Sequence, residues 1–275
     1  MATMTGKALS AAEFKAVSEL MYGISGVNLT PGKEGLVESR LASRLRALSL
    51  DSFTEYLAFV KSDPKRVELT TLVDLLTTNK TNFFREVAHF DYLKECVLPD
   101  LAQRRGARFW CAGCSSGEEP YTLAMVLAEA WNASQLSGVK ILATDLSTRV
   151  LARAAAAEYD EAAIGDMAPE RVRRHFNRSE TQGGARYQVK QPLRQLVHTA
   201  RLNLMGDWPM KGPFDVIMCR NVMIYFDAPT QERLVNRFHE LLTPGGSLLV
   251  GHSESLTALS HSFTAVQPAT YRKSA

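Results

Sequence analysis

The residues Phe109-Trp110-Cys111-Ala112-Gly113-Cys114-Ser115-Ser116-Gly117-Glu118-Glu119-Pro120-Tyr121 read as an apolar strand, a glycine-containing turn and the start of a helix. In an open α/β sheet that is where a nucleotide-like ligand sits. The run lacks the full G-x-G-x-x-G of a dinucleotide site and the G-K-[ST] of a phosphate loop. Glu118 and Glu119 also argue against a phosphate, because two carboxylates repel an anion where a bare helix N-terminus attracts one. The ligand they invite is cationic, or rich in hydroxyl and amine donors. A further acid ends the next apolar run, Ile141-Leu142-Ala143-Thr144-Asp145, where Asp145 can accept both hydrogen bonds of a ribose diol.

S-adenosylmethionine meets both requirements, since it carries a sulfonium, an ammonium and a ribose but no phosphate. The local reading of the same acids is that Glu118 and Glu119 complement the helix dipole and Asp145 caps the next helix. Two further stretches gather polar groups. Thr78-Asn79-Lys80-Thr81-Asn82-Phe83-Phe84-Arg85 sets amides, hydroxyls and an arginine beside two aromatics. Asn82 or Thr81 could cap a helix from Glu86 onward, with Phe83 and Phe84 in the core. Phe214 to Phe226 begins as an apolar strand and ends abruptly in Arg220-Asn221, with Tyr225 following, and its C-terminal end should face the same cleft as Gly113 and Asp145. Cys111 and Cys114 form a C-x-x-C, which could be a redox pair or half a zinc site. No second ligand pair with metal-like spacing accompanies them, so they read as small residues at a strand end and no metal is expected.

These residues need elements to hold them. Residues 10–78 carry helical periodicity, with Phe14, Val17, Leu20 and Met21 in one stretch and Leu41, Leu45 and Leu48 in the next. Ser10 with Glu13 forms a capping-box pattern, and Thr30 before Pro31 reads as an N-cap with proline at the first helical position. From Arg108 short apolar runs alternate with amphipathic segments, which predicts a mainly parallel sheet. Strands are expected at 108–112, 139–144, 214–219 and 247–251, and helices at about 118–131, 147–157 and 229–242. Ser262–Val266 and Thr270–Lys273 suit a closing antiparallel hairpin, so the sheet should be mixed. Residues 160–202 break the alternation and read as a small antiparallel insertion. The expected division is an all-helical N-terminal domain over 1–85, with the junction motif 79–85, and an α/β domain over 86–275.

The chain has 275 residues, room for one large domain or one plus a smaller one. Its 32 basic and 29 acidic residues leave a net charge of +3, far from the imbalance of a dedicated nucleic-acid binder. No apolar run is long enough to cross a membrane and the N-terminus lacks a secretory pattern, so the cytoplasm is expected, without membrane insertion. The four cysteines, Cys96, Cys111, Cys114 and Cys219, read as buried thiols in a reducing compartment.

Taken together, N-x-T-x-F-F-R at 79–85, S-x-G-E-E-P-Y at 115–121, C-R-N-V-M-I-Y-F at 219–226 and G-H-S-E at 251–254 resemble the chemotaxis receptor methyltransferases of the CheR type. The resemblance covers nearly the whole chain. It implies a Rossmann-like methyltransferase fold that transfers the methyl group of S-adenosylmethionine to glutamate side chains of chemoreceptors, leaving S-adenosylhomocysteine. Family members similar to this one hold the cofactor through residues matching Asn79, Thr81, Arg85, Glu119, Asp145, Asn203, Leu204, Asn221 and Tyr225, and Arg220 beside Asn221 joins that set. The turn departs from some relatives in having Ala112-Gly113-Cys114 rather than alanines. The insertion at 160–202 resembles the β-subdomain used for receptor docking. The expected partner is the cytoplasmic domain of a transmembrane chemoreceptor, met by a monomer.

A glutamate, with an ordinary pKa of about 4.3, is ionised at neutral pH and needs no general base. Catalysis is then mainly positioning, which can supply on the order of 7–11 kcal/mol. Arg85 and Tyr225 are the candidates for orienting the acceptor carboxylate, and His252 is the one histidine placed to act as a base instead. Arg40 and Arg44, four residues apart, with Arg46 near the same end, are the candidate basic face toward an acidic receptor helix; the alternative is a solvated face. A methyltransferase for nucleic acid or a small molecule would show an aromatic-basic surface or an Asn-Pro-Pro-Tyr type motif, and neither is present. Intact Arg85, Glu119, Asp145 and Tyr225 speak against a binding module that has lost turnover.

Overall fold

The apolar spacing of the first part of the chain becomes four helices, α1 (Ala11–Ser25), α2 (Glu34–Ala47), α3 (Phe53–Ser62) and α4 (Val67–Leu76). Their inward side chains, among them Val17, Met21, Val37, Leu41, Tyr56 and Leu72, form a core of their own. These elements come from a computed structural model that describes residues 8–104 and 106–275. Residues 1–7 of the expected N-terminal domain lie outside the described residues. α1 opens on the capping box: the Glu13 N–H donates to Ser10 Oγ, and the Ser10 N–H donates back to the Glu13 carboxylate at 3.0 Å. The expected start of α2 at Thr30-Pro31 is corrected. Gly32 takes a φ of +95°, which no helix tolerates, so Pro31-Gly32 is a turn and the helix begins at Glu34 without a side-chain cap.

Helix α5 (Ala88–Tyr92) then leads into the α/β part. Its strands are β1 (Arg108–Ala112), β2 (Lys140–Asp145), β3 (Glu158–Asp160), β4 (Phe176–Thr181), β5 (Gly184–Val189), β6 (Val197–Arg201), β7 (Phe214–Cys219), β8 (Leu242–Val250), β9 (Phe263–Gln267) and β10 (Thr270–Lys273). Seven of them form one sheet in the order β6-β2-β1-β7-β8-β10-β9. The first five run parallel and the final hairpin antiparallel, so the mixed sheet is as expected. Alternate side chains of β1 enter different cores: Phe109 and Cys111 pack on one face, Trp110 and Ala112 on the other. Helices Glu118–Ala130, Thr148–Ala156 and Ala228–Leu241 cover the two faces.

Three expectations change here. The strand expected at 247–251 starts at Leu242, because Leu242 already pairs with Phe214 and the register shifts before Ser247 resumes it opposite Val216. The insertion expected over 160–202 is smaller. Its sheet, in the order β3-β5-β4, uses residues between Glu158 and Val189, while Val197–Arg201 pairs parallel with β2 as the edge of the main sheet. A five-residue run carries no mark of which sheet it joins; the partner's register decides. Cys96 is exposed, unlike the other three cysteines, which are buried and unpaired.

Candidate functional site

The chain order of the sheet places the C-terminal ends of β1, β2 and β7 side by side. A cleft of about 470 Å³ opens above them, closed on its other side by the N-terminal helical part and by residues 76–82. This is the crevice that an open α/β sheet offers where its connections diverge.

The turn after β1 is held by its own backbone. The Gly113 and Cys114 N–H groups both donate to the Thr144 carbonyl at 2.8 Å. Gly113 has a φ of +89°, and a Cβ there would lie 2.4 Å from the Val222 Cγ2, so the glycine is required by both conformation and space. Asp145, at the end of β2, is 9% exposed. Its Oδ2 accepts the Ser115 N–H and its Oδ1 the Ser147 N–H, each at 2.9 Å. Burial pushes its carboxyl above the ordinary range, while these N–H donors pull it back. Each oxygen keeps a lone pair for a further donor.

Glu118 and Glu119, adjacent in sequence, part company. Glu118 is buried away from the cleft and accepts from the Ser116 hydroxyl at 2.7 Å. Glu119 lines the cleft and accepts from Arg220 Nη1 at 2.9 Å. Arg220, almost wholly buried, also donates to Glu86 Oε2 at 3.1 Å and to the Arg85 carbonyl. It therefore forms a charged floor, with one guanidinium between two carboxylates. Burial pushes the Glu119 carboxyl up against the pull of Arg220. For Glu86 burial acts the same way but is outweighed by the His252 N–H, Arg220 and Asn221, so its carboxyl sits below the usual range.

Asn221 adopts a left-handed φ of +59°, which sends its amide back to Glu86 Oε1 at 3.3 Å. Tyr225 donates its hydroxyl to the Thr78 carbonyl at 3.4 Å, and its own carbonyl accepts the Asn28 N–H at 2.8 Å. Asn203 makes the matching tie on the far wall, donating to the Ile24 carbonyl at 2.6 Å. The cleft wall is thus shared between the helical and α/β parts. Arg85 lines the cleft and donates from Nη1 to the Lys80 carbonyl at 3.0 Å, with its other N–H groups left for a ligand.

Of the residues singled out in the sequence, Asn79, Thr81, Arg85, Glu119, Asp145, Asn203, Leu204, Arg220, Asn221 and Tyr225 all line this one cleft. The basic trio does not. Arg40 donates to the Leu76 and Thr77 carbonyls and to the Thr78 hydroxyl, and Arg44 forms a bidentate pair with the buried Glu68. Of the basic face expected at Arg40, Arg44 and Arg46, two members are engaged inside the fold, because α2 packs on α4 and brings carbonyls and a carboxylate to them. Arg46 is exposed. Asn82 caps no helix, its amide bonding the Phe83 carbonyl at 3.1 Å. Phe83 instead wedges edge-on against Tyr159 and Phe176, joining the junction to the small sheet.

His252 is exposed and lies outside the cleft. With Glu86 and His89 it forms a group whose ligand-type atoms lie within 4.8 Å of one another. Sequence spacing concealed that group, since His252 stands 166 residues from Glu86. Both oxygens of Glu86 are already engaged, by Arg220, Asn221 and the His252 N–H. The roles of Glu86, Asn28 and, within their motifs, Ser115 and Glu254 were not legible in sequence, because their contacts are made with residues distant in the chain.

The donor set fits S-adenosylmethionine. A diol can use the spare lone pairs of Asp145, and the narrow Gly113 turn leaves backbone rather than side chain against the ligand. Residues 79–272 match the family described as "CheR methyltransferase, SAM binding domain", and residues 12–77 match "CheR methyltransferase, all-alpha domain". The "Probable chemotaxis protein methyltransferase" of Rhizobium etli is 41% identical over 258 residues, covering 92% of this chain and 96% of that protein. The "Chemotaxis protein methyltransferase" of Escherichia coli K12 is 40% identical over 260 residues, 94% of this chain and 89% of its own length. A solved S-adenosylmethionine-dependent methyltransferase from Mesorhizobium loti overlaps 58% of this chain and 54% of its own at 19% identity, with a TM-score of 0.31.

Proposed function

This chain belongs to the CheR methyltransferase family, and on that premise we propose which residues carry its reaction and what accepts the methyl group. It is an S-adenosylmethionine-dependent methyltransferase of the chemotaxis type. The acceptor is a glutamate side chain in the cytoplasmic domain of a chemoreceptor, and the product is its methyl ester. One observation carries the assignment of residues: ten residues from five separate stretches of sequence converge on one cleft above β1, β2 and β7.

Bound S-adenosylmethionine supplies an electrophilic methyl group on its sulfonium. Asp145 offers the ribose two acceptors, and Asn79, Thr81, Asn203, Leu204 and Asn221 line the rest of the cofactor's place. Glu119 and Glu86 both pair with Arg220 beneath it, so the floor sets two carboxylates against one guanidinium. Arg85 and Tyr225 orient the acceptor carboxylate. Arg85 already gives one N–H to Lys80, so its contact is partial, which preserves the nucleophilicity that a tight bidentate clamp would reduce. The Tyr225 hydroxyl, on a long bond to Thr78, is free to exchange that bond for the substrate.

No described helix is long and apolar enough to cross a membrane. We place the enzyme in the cytoplasm as a monomer. Its helical unit and its α/β unit act as two domains joined at 79–85. The small sheet β3-β5-β4 and exposed Arg46 serve receptor docking. Incubation with labelled S-adenosylmethionine and chemoreceptor membranes should give base-labile methyl ester on the receptor. Label on RNA or on a small molecule instead would sink this acceptor assignment.

A further inference from the structure

The motif Gly251-His252-Ser253-Glu254 follows β8 and contributes no side chain to the cleft wall, and no step of the proposed reaction uses it. Glu254 is 7% exposed, and among the described residues it pairs with no lysine, arginine or histidine. A buried carboxylate without a counter-ion is costly unless its oxygens are otherwise satisfied. Here the backbone satisfies them. Oε2 accepts the Asn221 N–H at 2.8 Å and the Gly251 N–H, and Oε1 accepts the Ile224 N–H at 3.1 Å. Three backbone N–H groups converge on this anion, two from the loop that bears Asn221 and Tyr225 and one from Gly251, directly after β8.

Gly251 closes the same contact from the other side. A Cβ there would fall 2.4 Å from the Asn221 amide nitrogen and 2.8 Å from its backbone nitrogen. Asn221 is held in its left-handed conformation between that glycine, the Glu254 carboxylate and Glu86. Without the carboxylate, three N–H groups would lose their acceptor and the loop would lose what sets its path into the cleft.

We propose that Glu254 is a positioning residue: it holds the 221–225 loop so that Asn221 and Tyr225 meet cofactor and acceptor, and touches neither substrate itself. This rests on the role assigned to Tyr225 above. Glu254→Gln keeps the shape but turns an N–H-bearing amide toward backbone N–H groups, so it cannot satisfy all three. A displacement of the order of 1 Å at a reacting group lowers rates roughly a hundredfold. Glu254→Gln should therefore lose roughly ten- to hundredfold in kcat at saturating cofactor, measured as methyl ester on chemoreceptor membranes, while its near-UV circular dichroism stays that of the native protein.

Because the loss passes through Tyr225, Glu254→Gln combined with Tyr225→Phe should be no slower than the slower single variant. A brace of purely structural value would multiply the two losses instead. Gly251→Ala, whose Cβ would meet Asn221 at 2.4 Å and Glu254 Oε2 at 2.8 Å and so disturbs the same contact while keeping the carboxylate itself, should show the same loss and the same non-additivity, and serves as the test if Glu254→Gln does not fold. Full rate in Tyr225→Phe alone would overturn the reading of the site, and this inference with it. A slow Tyr225→Phe beside a full-rate Glu254→Gln, or losses that multiply, would overturn this inference alone.

Discussion

The guanidinium of Arg40, on α2, donates to the hydroxyl of Thr78 across 2.9 Å. Two further bonds, to the Leu76 and Thr77 carbonyls at 2.9 and 3.0 Å, complete the grip on the segment that leaves α4. That segment lines the cleft, and its Thr78 carbonyl is the acceptor for Tyr225. A residue whose spacing suggested a solvent-facing cation instead braces a wall of the site.

It follows that Arg40→Ala should weaken binding of S-adenosylhomocysteine several-fold by calorimetry. The fold should lose about 1.5–3 kcal/mol, the usual worth of hydrogen bonds from a charged donor. Arg46→Glu, by contrast, should leave that affinity unchanged and slow receptor methylation, with the wild-type rate falling as salt rises. Wild-type affinity in Arg40→Ala would return Arg40 to a surface role.

Asp145→Asn should lower affinity for S-adenosylhomocysteine at least tenfold, since a charge-assisted bond is worth roughly 1.5–3 kcal/mol. The amide must also turn an N–H toward Ser115 or Ser147. Burial raises the Asp145 carboxyl, so wild-type affinity should begin to fall on acidification at a pH above that expected for an ordinary aspartate. Unchanged binding in the folded variant would take Asp145 out of the site.

His89 is fully buried beside Arg220, and burial followed by that cation lowers its pKa from 6.5 to about 4. The folded protein therefore keeps it neutral while the unfolded chain takes up a proton. Its contribution to stability is complete above about pH 6.5 and is lost as pH falls toward 4, a loss of roughly 3 kcal/mol. Urea melts from about pH 4 to 7 should show this slope in the wild type and a shallower one in His89→Leu. Equal slopes would contradict the burial argument.

His252 stands outside the cleft, and its backbone N–H rather than its ring bonds Glu86 at 3.2 Å. With an acceptor that is already ionised, the rate should stay level across neutral pH, and His252→Gln should keep both rate and profile. A wild-type limb near about pH 6.5 that disappears in the variant with a large loss of rate would make His252 a base.

Local pattern alone specified much of this protein. Ser10 and Glu13 announced the first helix because a capping box is made by near neighbours in the chain. The runs 108–112, 214–219 and 270–273 declared themselves as strands by apolar content bounded by polar turns, and Asp145 was visible as an acid at a strand end. Only the tertiary structure decided what depends on distant partners. It turned Glu118 away from the cleft and Glu119 into it, gave Arg40 and Arg44 to the fold, and moved Val197–Arg201 to the edge of the main sheet. It also brought Glu254 beneath Asn221. The physical reason is common to all of these: hydrogen bonds and charge pairing are settled by which groups packing leaves unsatisfied, and that is known only once the elements have met.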